Sequence, residues 1–223
     1  MPAGLDGARD RVRSLARQAV VDRLAGKVAS LAPHPNLLVG IDGASATGKS
    51  TLADELAEAL QARDLVVVRA SIDSFHRPRR ERYHRGPDSP EGYYLDSHDL
   101  VALQDRLLTP FVTGVGSYVT AVFDEPSDAP VDQVPLPVPA DAVLVFDGLF
   151  LQRPELKDAW DLLVFLTAER RRAQLWAAYP DGPRKDRYLV GQALYEEQVD
   201  PWRRAAVVID NDDLARPRRV VWR

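Results

Sequence analysis

Eight consecutive residues carry the clearest chemistry in the chain: Gly43-Ala44-Ser45-Ala46-Thr47-Gly48-Lys49-Ser50, followed by Thr51. They fit the phosphate-binding pattern G-x-x-x-x-G-K-[ST]. Glycines at the two fixed positions let backbone N–H groups curl around phosphate oxygens, and a helix beginning there adds its positive dipole end. Lys49 can then reach the β- and γ-phosphates of a bound ATP, and the Ser50 hydroxyl suits Mg²⁺. The lysine is informative because the chain has 25 Arg and only four Lys.

Three carboxylates close three apolar runs: Asp42 after Leu37–Ile41, Asp73 shortly after Leu65–Val68, and Asp147 after Val143–Phe146. In an open parallel sheet, ligands bind beyond the carboxyl ends of the strands, so all three belong near the glycine-rich loop. Asp147 is placed as a Mg²⁺-organising carboxylate, and Asp73 as the group that receives a proton from an attacking hydroxyl. A GTPase would carry a base-reading Asn-Lys-x-Asp motif, and none is present. Larger ATPase classes usually need more than 223 residues.

The elements that must position these groups follow from periodicity. Residues 6–31 read as an amphipathic helix ended by Pro33 and Pro35, and residues 50–62 as a second helix. Residues 74–97 lose periodicity and read as a long functional loop. Residues 98–109 read as a helix stopped by Pro110, and 117–123 as a strand. Prolines at every second position of 134–139 fit an edge strand. Helices are expected over about 169–178 and 187–199, with further strands at 162–166 and 207–209. Arg216, Arg218 and Arg219 read as a solvated tail. Apolar strands alternating with helices predict an α/β fold of the P-loop NTPase type. Its five-stranded parallel sheet carries helices on both faces, a small β insertion and a short lid. Residues 1–223 are read as one domain, with an N-terminal helix (1–33), acceptor-side insertions (74–97 and 117–139) and a lid region (167–188).

Composition narrows the class. A net charge of −4 argues against a protein built to coat nucleic acid or an anionic membrane. No apolar run approaches the roughly 18 residues of a membrane span, and the absence of Cys excludes disulfides and thiolate metal sites. Acidic residues Asp6, Asp10 and Asp22 interrupt the Arg-rich start, so no targeting segment is read there and the expectation is a cytoplasmic protein. Neither His76 nor His84 has a second ligand at metal-binding spacing, so neither is read as a ligand. Tyr93 fits either a stacking surface for a base or a packed loop residue. Periodicity leaves open whether the N-terminal helix packs on its own core or forms a homo-oligomer.

Together, Gly43–Ser50, Ser71-Ile72-Asp73-Ser74-Phe75-His76-Arg77, Pro87-Asp88-Ser89-Pro90-Glu91-Gly92-Tyr93 and Phe146-Asp147-Gly148 resemble the uridine kinase family. That family sits within the uridine kinase, phosphoribulokinase and pantothenate kinase group of P-loop kinases, and the resemblance runs from about residue 36 to 210. It implies phosphoryl transfer from ATP, with Mg²⁺, to the 5′-hydroxyl of uridine or cytidine. Asp73 would be the base and Asp88 would meet the ribose hydroxyls. Lid arginines would be drawn from Arg170, Arg171, Arg172, Arg184 and Arg187, with Arg187 placed toward the substrate. His76 stands where the family has Tyr. Phe123-Asp124 stands for a Tyr-Asp segment whose following base-contacting His is missing, which leaves pyrimidine recognition open. A kinase for a pantothenate-like alcohol or a sugar, and a nucleotide sensor without transfer activity, are the alternatives.

Overall fold

The structure, a computed structural model, describes residues 14–31 and 36–223. Helix α1 (Leu15–Leu31) leads to β1 (Asn36–Gly43), α2 (Lys49–Gln61) and β2 (Val66–Ser71). A 3-10 turn (Ile72–Phe75) and helices α3 (Arg79–Arg82) and α4 (Pro90–Asp96) follow. Next come α5 (Leu100–Leu103), a π-helical turn (Gln104–Leu108) and α6 (Thr109–Thr113). Short strands β3 (Ser117–Tyr118), β4 (Phe123–Asp124), β5 (Ala129–Pro130) and β6 (Leu136–Pro137) precede β7 (Ala142–Gly148) and β8 (Leu162–Thr167). Helices α7 (Glu169–Ala178), α8 (Pro183–Val199) and α9 (Pro201–Arg204) lead to β9 (Val207–Asp210) and β10 (Arg218–Trp222). The predicted start of the first helix at 6–13 and its stop at Pro33 and Pro35 lie outside the described residues.

The main sheet has the order β10-β9-β8-β1-β7-β2. Its five inner-chain strands are parallel, and β10 joins the edge antiparallel to β9. Because side chains alternate along a strand, each face has its own core. Leu37, Val39 and Ile41 of β1, with Val143, Val145 and Val164, pack under α1 and α2. Leu38, Leu144 and Phe146 face the other way, against Leu103, Leu107, Leu108 and Phe111. A third, aromatic cluster joins Tyr93, Tyr94, Phe150, Trp176, Tyr188 and Tyr195.

Four expectations need correction. The C-terminal arginines are not a loose tail: Arg216 and Arg218 are exposed, but the backbone of β10 completes a sixth strand. It is held there by Val220 and Trp222 packing on the first core, with the Arg23 guanidinium 4.3 Å above the Trp222 ring. Pro110 does not stop its helix. A proline removes an N–H and crowds the carbonyl four residues back. Here the π turn loosens the coil, and the stranded Arg106 carbonyl accepts the N–H of Val119 instead. Residues 74–97 are not irregular throughout. Ser89 caps α4 by accepting the Gly92 N–H, with Pro90 at the first helical position, a readable start signal. Helix α8 likewise begins earlier than periodicity suggests, at Pro183.

Helix α1 lies on α2, and its Arg17 is almost fully buried. Arg17 Nε donates to Glu55 of α2 at 2.7 Å and Nη1 to Asn211 Oδ1 at 2.8 Å. Replacing one partner of a buried charge pair strands the other. Arg17→Met is therefore expected to lower unfolding free energy by about 3 kcal/mol, measured by urea denaturation; a loss below 1 kcal/mol would show that α1 is held by apolar packing alone.

Candidate active site

The loop from Gly43 to Gly48 joins β1 to α2 in the strand–turn–helix setting its pattern requires. Two of its residues must be glycine for visible reasons. Gly43 has φ 151°, and a side chain there would meet the Leu166 carbonyl; Gly48 has φ 85° and lies against Asn211 and Leu214. The loop is held from several directions. Thr47 Oγ1 donates to the Ala44 carbonyl, and Asn211 Nδ2 to the Thr47 carbonyl. Arg171 Nε of α7 donates to the Ala46 carbonyl at 3.1 Å, and the Ser45 N–H donates to Gln192 of α8. Arg170, by contrast, is turned to solvent beside Asp212.

Lys49 opens α2 and donates to the Ala44 carbonyl at 2.9 Å. It keeps some contact with solvent, yet the protein packed around it lowers its pKa; Asp147, Asp73 and Asp42 oppose that shift. Ser50 Oγ donates to Asp147 Oδ2 at 2.7 Å. Register explains the meeting: Asp147 stands opposite Ile41 of β1 on one side and Ser71 of β2 on the other. Its second oxygen accepts from Arg69 Nη2 at 2.7 Å. A hydroxyl, a carboxylate and an ammonium grouped at a helix N-terminus are the donor set that a Mg²⁺-bound polyphosphate requires, so these residues fit both groups.

Asp73 sits in the 3-10 turn, its N–H accepted by Ser71 Oγ. The carboxylate is open to solvent but walled by protein. That desolvation raises its pKa above the ordinary carboxylate value, offset by His76 and Lys49 and reinforced by Asp147 and Glu125. Asp73 and Lys49 thus feel each other's charge across the end of the sheet.

Asp42 has a different position from its two counterparts. It is fully buried beneath the loop, where it accepts the Gly43 N–H, Gln152 Nε2 and the Tyr195 hydroxyl. Burial raises its pKa, and those donors with Lys49 pull it back.

The acceptor-side residues divide. Asp88 is exposed just before the cap of α4. Tyr93 is packed edge-on against Phe150 and Tyr188, near enough to Asp73 for that charge to raise its pKa further after burial. His76 Nδ1 donates to the Asp73 carbonyl at 2.8 Å. Phe123 is buried in β4, where the insertion is tied to α3 through Arg82 and Glu125 at 2.7 Å. Arg187 is buried: it donates to the Ser89 carbonyl and lies 4.9 Å from the Tyr83 ring centre, while Arg184 reaches the Tyr83 hydroxyl.

Solved structures share the fold. A possible uridine kinase from Bacillus stearothermophilus is 25% identical, with a TM-score of 0.71 over 86% of this chain and 97% of its own. In its fold the chain is similar to P-loop kinases of the uridine kinase, phosphoribulokinase and pantothenate kinase group. A candidate fructose transport system kinase from Silicibacter sp. TM1040 is 23% identical, with a TM-score of 0.62 over 79% of this chain and 94% of its own. D-glycerate 3-kinase from Cryptococcus neoformans is 16% identical, with a TM-score of 0.54 over 81% and 88%. No protein-family model matches the chain.

Several site residues escaped sequence reasoning: Arg69, Gln152, Gln192, Tyr195 and Asn211. Each is a polar residue whose partner lies far along the chain, and the one local signal is Arg69 interrupting a valine run. Tyr195→Phe would remove one of three donors from a carboxylate without access to water. We expect a loss of about 2 kcal/mol, the range for hydrogen bonds to charged groups, read as a lower urea midpoint with unchanged slope; an unaltered midpoint would remove the Asp42–Tyr195 contact from the account.

Proposed function

We propose that the chain is a single kinase domain that transfers the γ-phosphoryl group of ATP to a hydroxyl of a small metabolite. A nucleoside, uridine or cytidine, is the first acceptor to test. The observation that carries this reading is the convergence of Lys49, the Ser50–Asp147 pair and Asp73 at one end of the sheet, with Lys49 and Asp73 close enough to interact electrostatically. Backbone N–H groups of the loop would hold the phosphates, and Lys49 would balance charge on the β and γ groups. Ser50 and Asp147 would hold Mg²⁺, which when bound shields the phosphate oxygens. The acceptor oxygen would form its bond to the γ-phosphorus as the bond to the bridging oxygen breaks, with ADP leaving and the hydroxyl proton passing to Asp73. Arg171, which donates to the Ala46 carbonyl of the loop, would steady the phosphate end. On the acceptor side, the 74–97 and 117–139 segments supply His76, Tyr93 and Glu125 around Asp73.

The three solved relatives named above carry the names of kinases for a nucleoside, a sugar and a hydroxy acid, which supports an alcohol acceptor and leaves its identity to experiment. ADP release with ATP and Mg²⁺ against nucleosides, pantothenate, sugars and small hydroxy acids decides it. Stimulation by uridine or cytidine would establish the nucleoside. Stimulation by another alcohol alone would keep the mechanism and change the substrate. ATP binding with no stimulation across the panel would favour the sensor reading.

Asp73→Asn is expected to lower kcat by about 10²–10⁴-fold with ATP affinity retained; unchanged turnover would remove the proposed base. The pH profile gives a second check. A base works only when deprotonated, so kcat/KM should rise with pH through the Asp73 pKa. The protein walls around it raise that pKa, so the acid limb should lie above the ordinary carboxylate range, and it should vanish in Asp73→Asn.

A further inference from the structure

His76 and His98 are far apart in sequence but are brought side by side by a two-stranded backbone bridge. The Arg77 N–H donates to the Ser97 carbonyl at 3.0 Å and the Asp99 N–H to the Phe75 carbonyl at 2.7 Å. This makes the two histidines a non-hydrogen-bonded antiparallel pair, the register in which facing side chains approach most closely. Their rings lie 4.6 Å apart, centre to centre. Ligand atoms of Asp73, His76 and His98 all fall within 4.8 Å of one another.

Two further observations point to a ligand. His98 is 2% exposed, and its Nε2 has no hydrogen-bond partner, although a buried imidazole nitrogen is costly to leave unpaired. His76 gives its Nδ1 proton to the Asp73 carbonyl, which fixes the tautomer and leaves the Nε2 lone pair available.

We propose that Asp73, His76 and His98 form a binding site for a divalent transition metal ion of the zinc type, separate in its ligands from the Mg²⁺ position at Ser50 and Asp147. Two imidazoles and one carboxylate are a donor set suited to zinc or cobalt, whereas Mg²⁺ takes oxygen. Bonds of about 2.0–2.2 Å bring ligand atoms to roughly 3.4 Å apart, so closing the site from separations within 4.8 Å takes movements of up to about 1.4 Å, shared among the three side chains. The positive charges of Arg153, Arg82 and Arg77 lie within electrostatic reach of His98. Those same charges oppose a dication, but Arg82 is paired with Glu125 and Asp128 and Arg153 with Glu155, and Asp73 adds its own negative charge. Asp73 leaves the fourth position open to solvent, which gives the ion an entry path. An ion here would occupy the carboxylate that the proposed reaction uses as a base, so zinc should inhibit turnover; that consequence rests on the kinase reading, and the binding does not.

The test is a titration of the nucleotide-free full chain with Co²⁺ alone, followed by visible absorption and calorimetry, with Zn²⁺ as competitor. The expected result is one ion per chain, a ligand-field band that Zn²⁺ abolishes, and at least about tenfold weaker binding in His76→Gln and His98→Asn. His76 is partly exposed, so its variant keeps the test decisive if the buried His98 variant does not fold. Absence of saturable binding, or binding unchanged in His76→Gln, would overturn the site. So would binding that survives His76→Gln and disappears in Asp147→Asn, since the ion would then lie at the phosphate loop.

Discussion

A carboxylate with no access to water is the constraint around which this fold is arranged. Asp42 ends the central strand, and each of its donors comes from a different part of the chain: the first residue of the phosphate loop, the segment after β7, and α8. Burying such a group costs several kcal/mol unless its lone pairs are filled. The donors therefore have to arrive together. Once they do, the base of the loop, the aromatic cluster and the last long helix are fixed relative to one another. Desolvation still prevails over those donors and raises the pKa of Asp42, whose side chain is fully buried.

A second polar chain reaches the loop from the opposite side. Glu55 holds Arg17, Arg17 holds Asn211, and Asn211 holds the Thr47 carbonyl. Helix α1 thus contributes to the shape of the loop without touching any position where a phosphate would lie. Asp147 is aligned in the same manner, one oxygen taken by Arg69 and the other facing Ser50. Phosphate chemistry of this type depends on positioning more than on reactive side chains, and here the positioning is distributed over polar residues from every layer.

What the sequence revealed was whatever is encoded locally. Runs such as Leu37–Ile41 and Val143–Phe146 are buried on both faces, so continuous apolarity marked them, and the Gly-Lys-Ser pattern marked the turn between strand and helix. The five parallel strands, the helices flanking them and the clustering of Lys49, Ser50 and Asp147 followed. Most of the failures share one cause, which is a partner distant along the chain; the starts of α4 and α8, marked locally by Pro90 and Pro183, are the exceptions. Pro110 reads as a helix stop until the Val119 N–H is seen to satisfy the Arg106 carbonyl. The C-terminal arginines read as a tail because the pairing of β10 depends on β9 and on Trp222 finding Arg23. His98 gave no signal, since its neighbour His76 is reached only through a backbone bridge. Gln192, Tyr195 and Asn211 look like ordinary polar residues until their buried partners are known.

Helix α8 touches both halves of the cleft. Near its start, Arg184 and Arg187 grip Tyr83 and the Ser89 carbonyl of the segment that carries His76 and Asp88; further along, Gln192 takes a phosphate-loop N–H and Tyr195 takes Asp42. One rigid rod therefore links the place where a nucleotide would sit with the place where its co-substrate would sit. Whatever seats α8 more firmly from one end also prepares the other. By thermodynamic reciprocity, any such help would be equal in both directions.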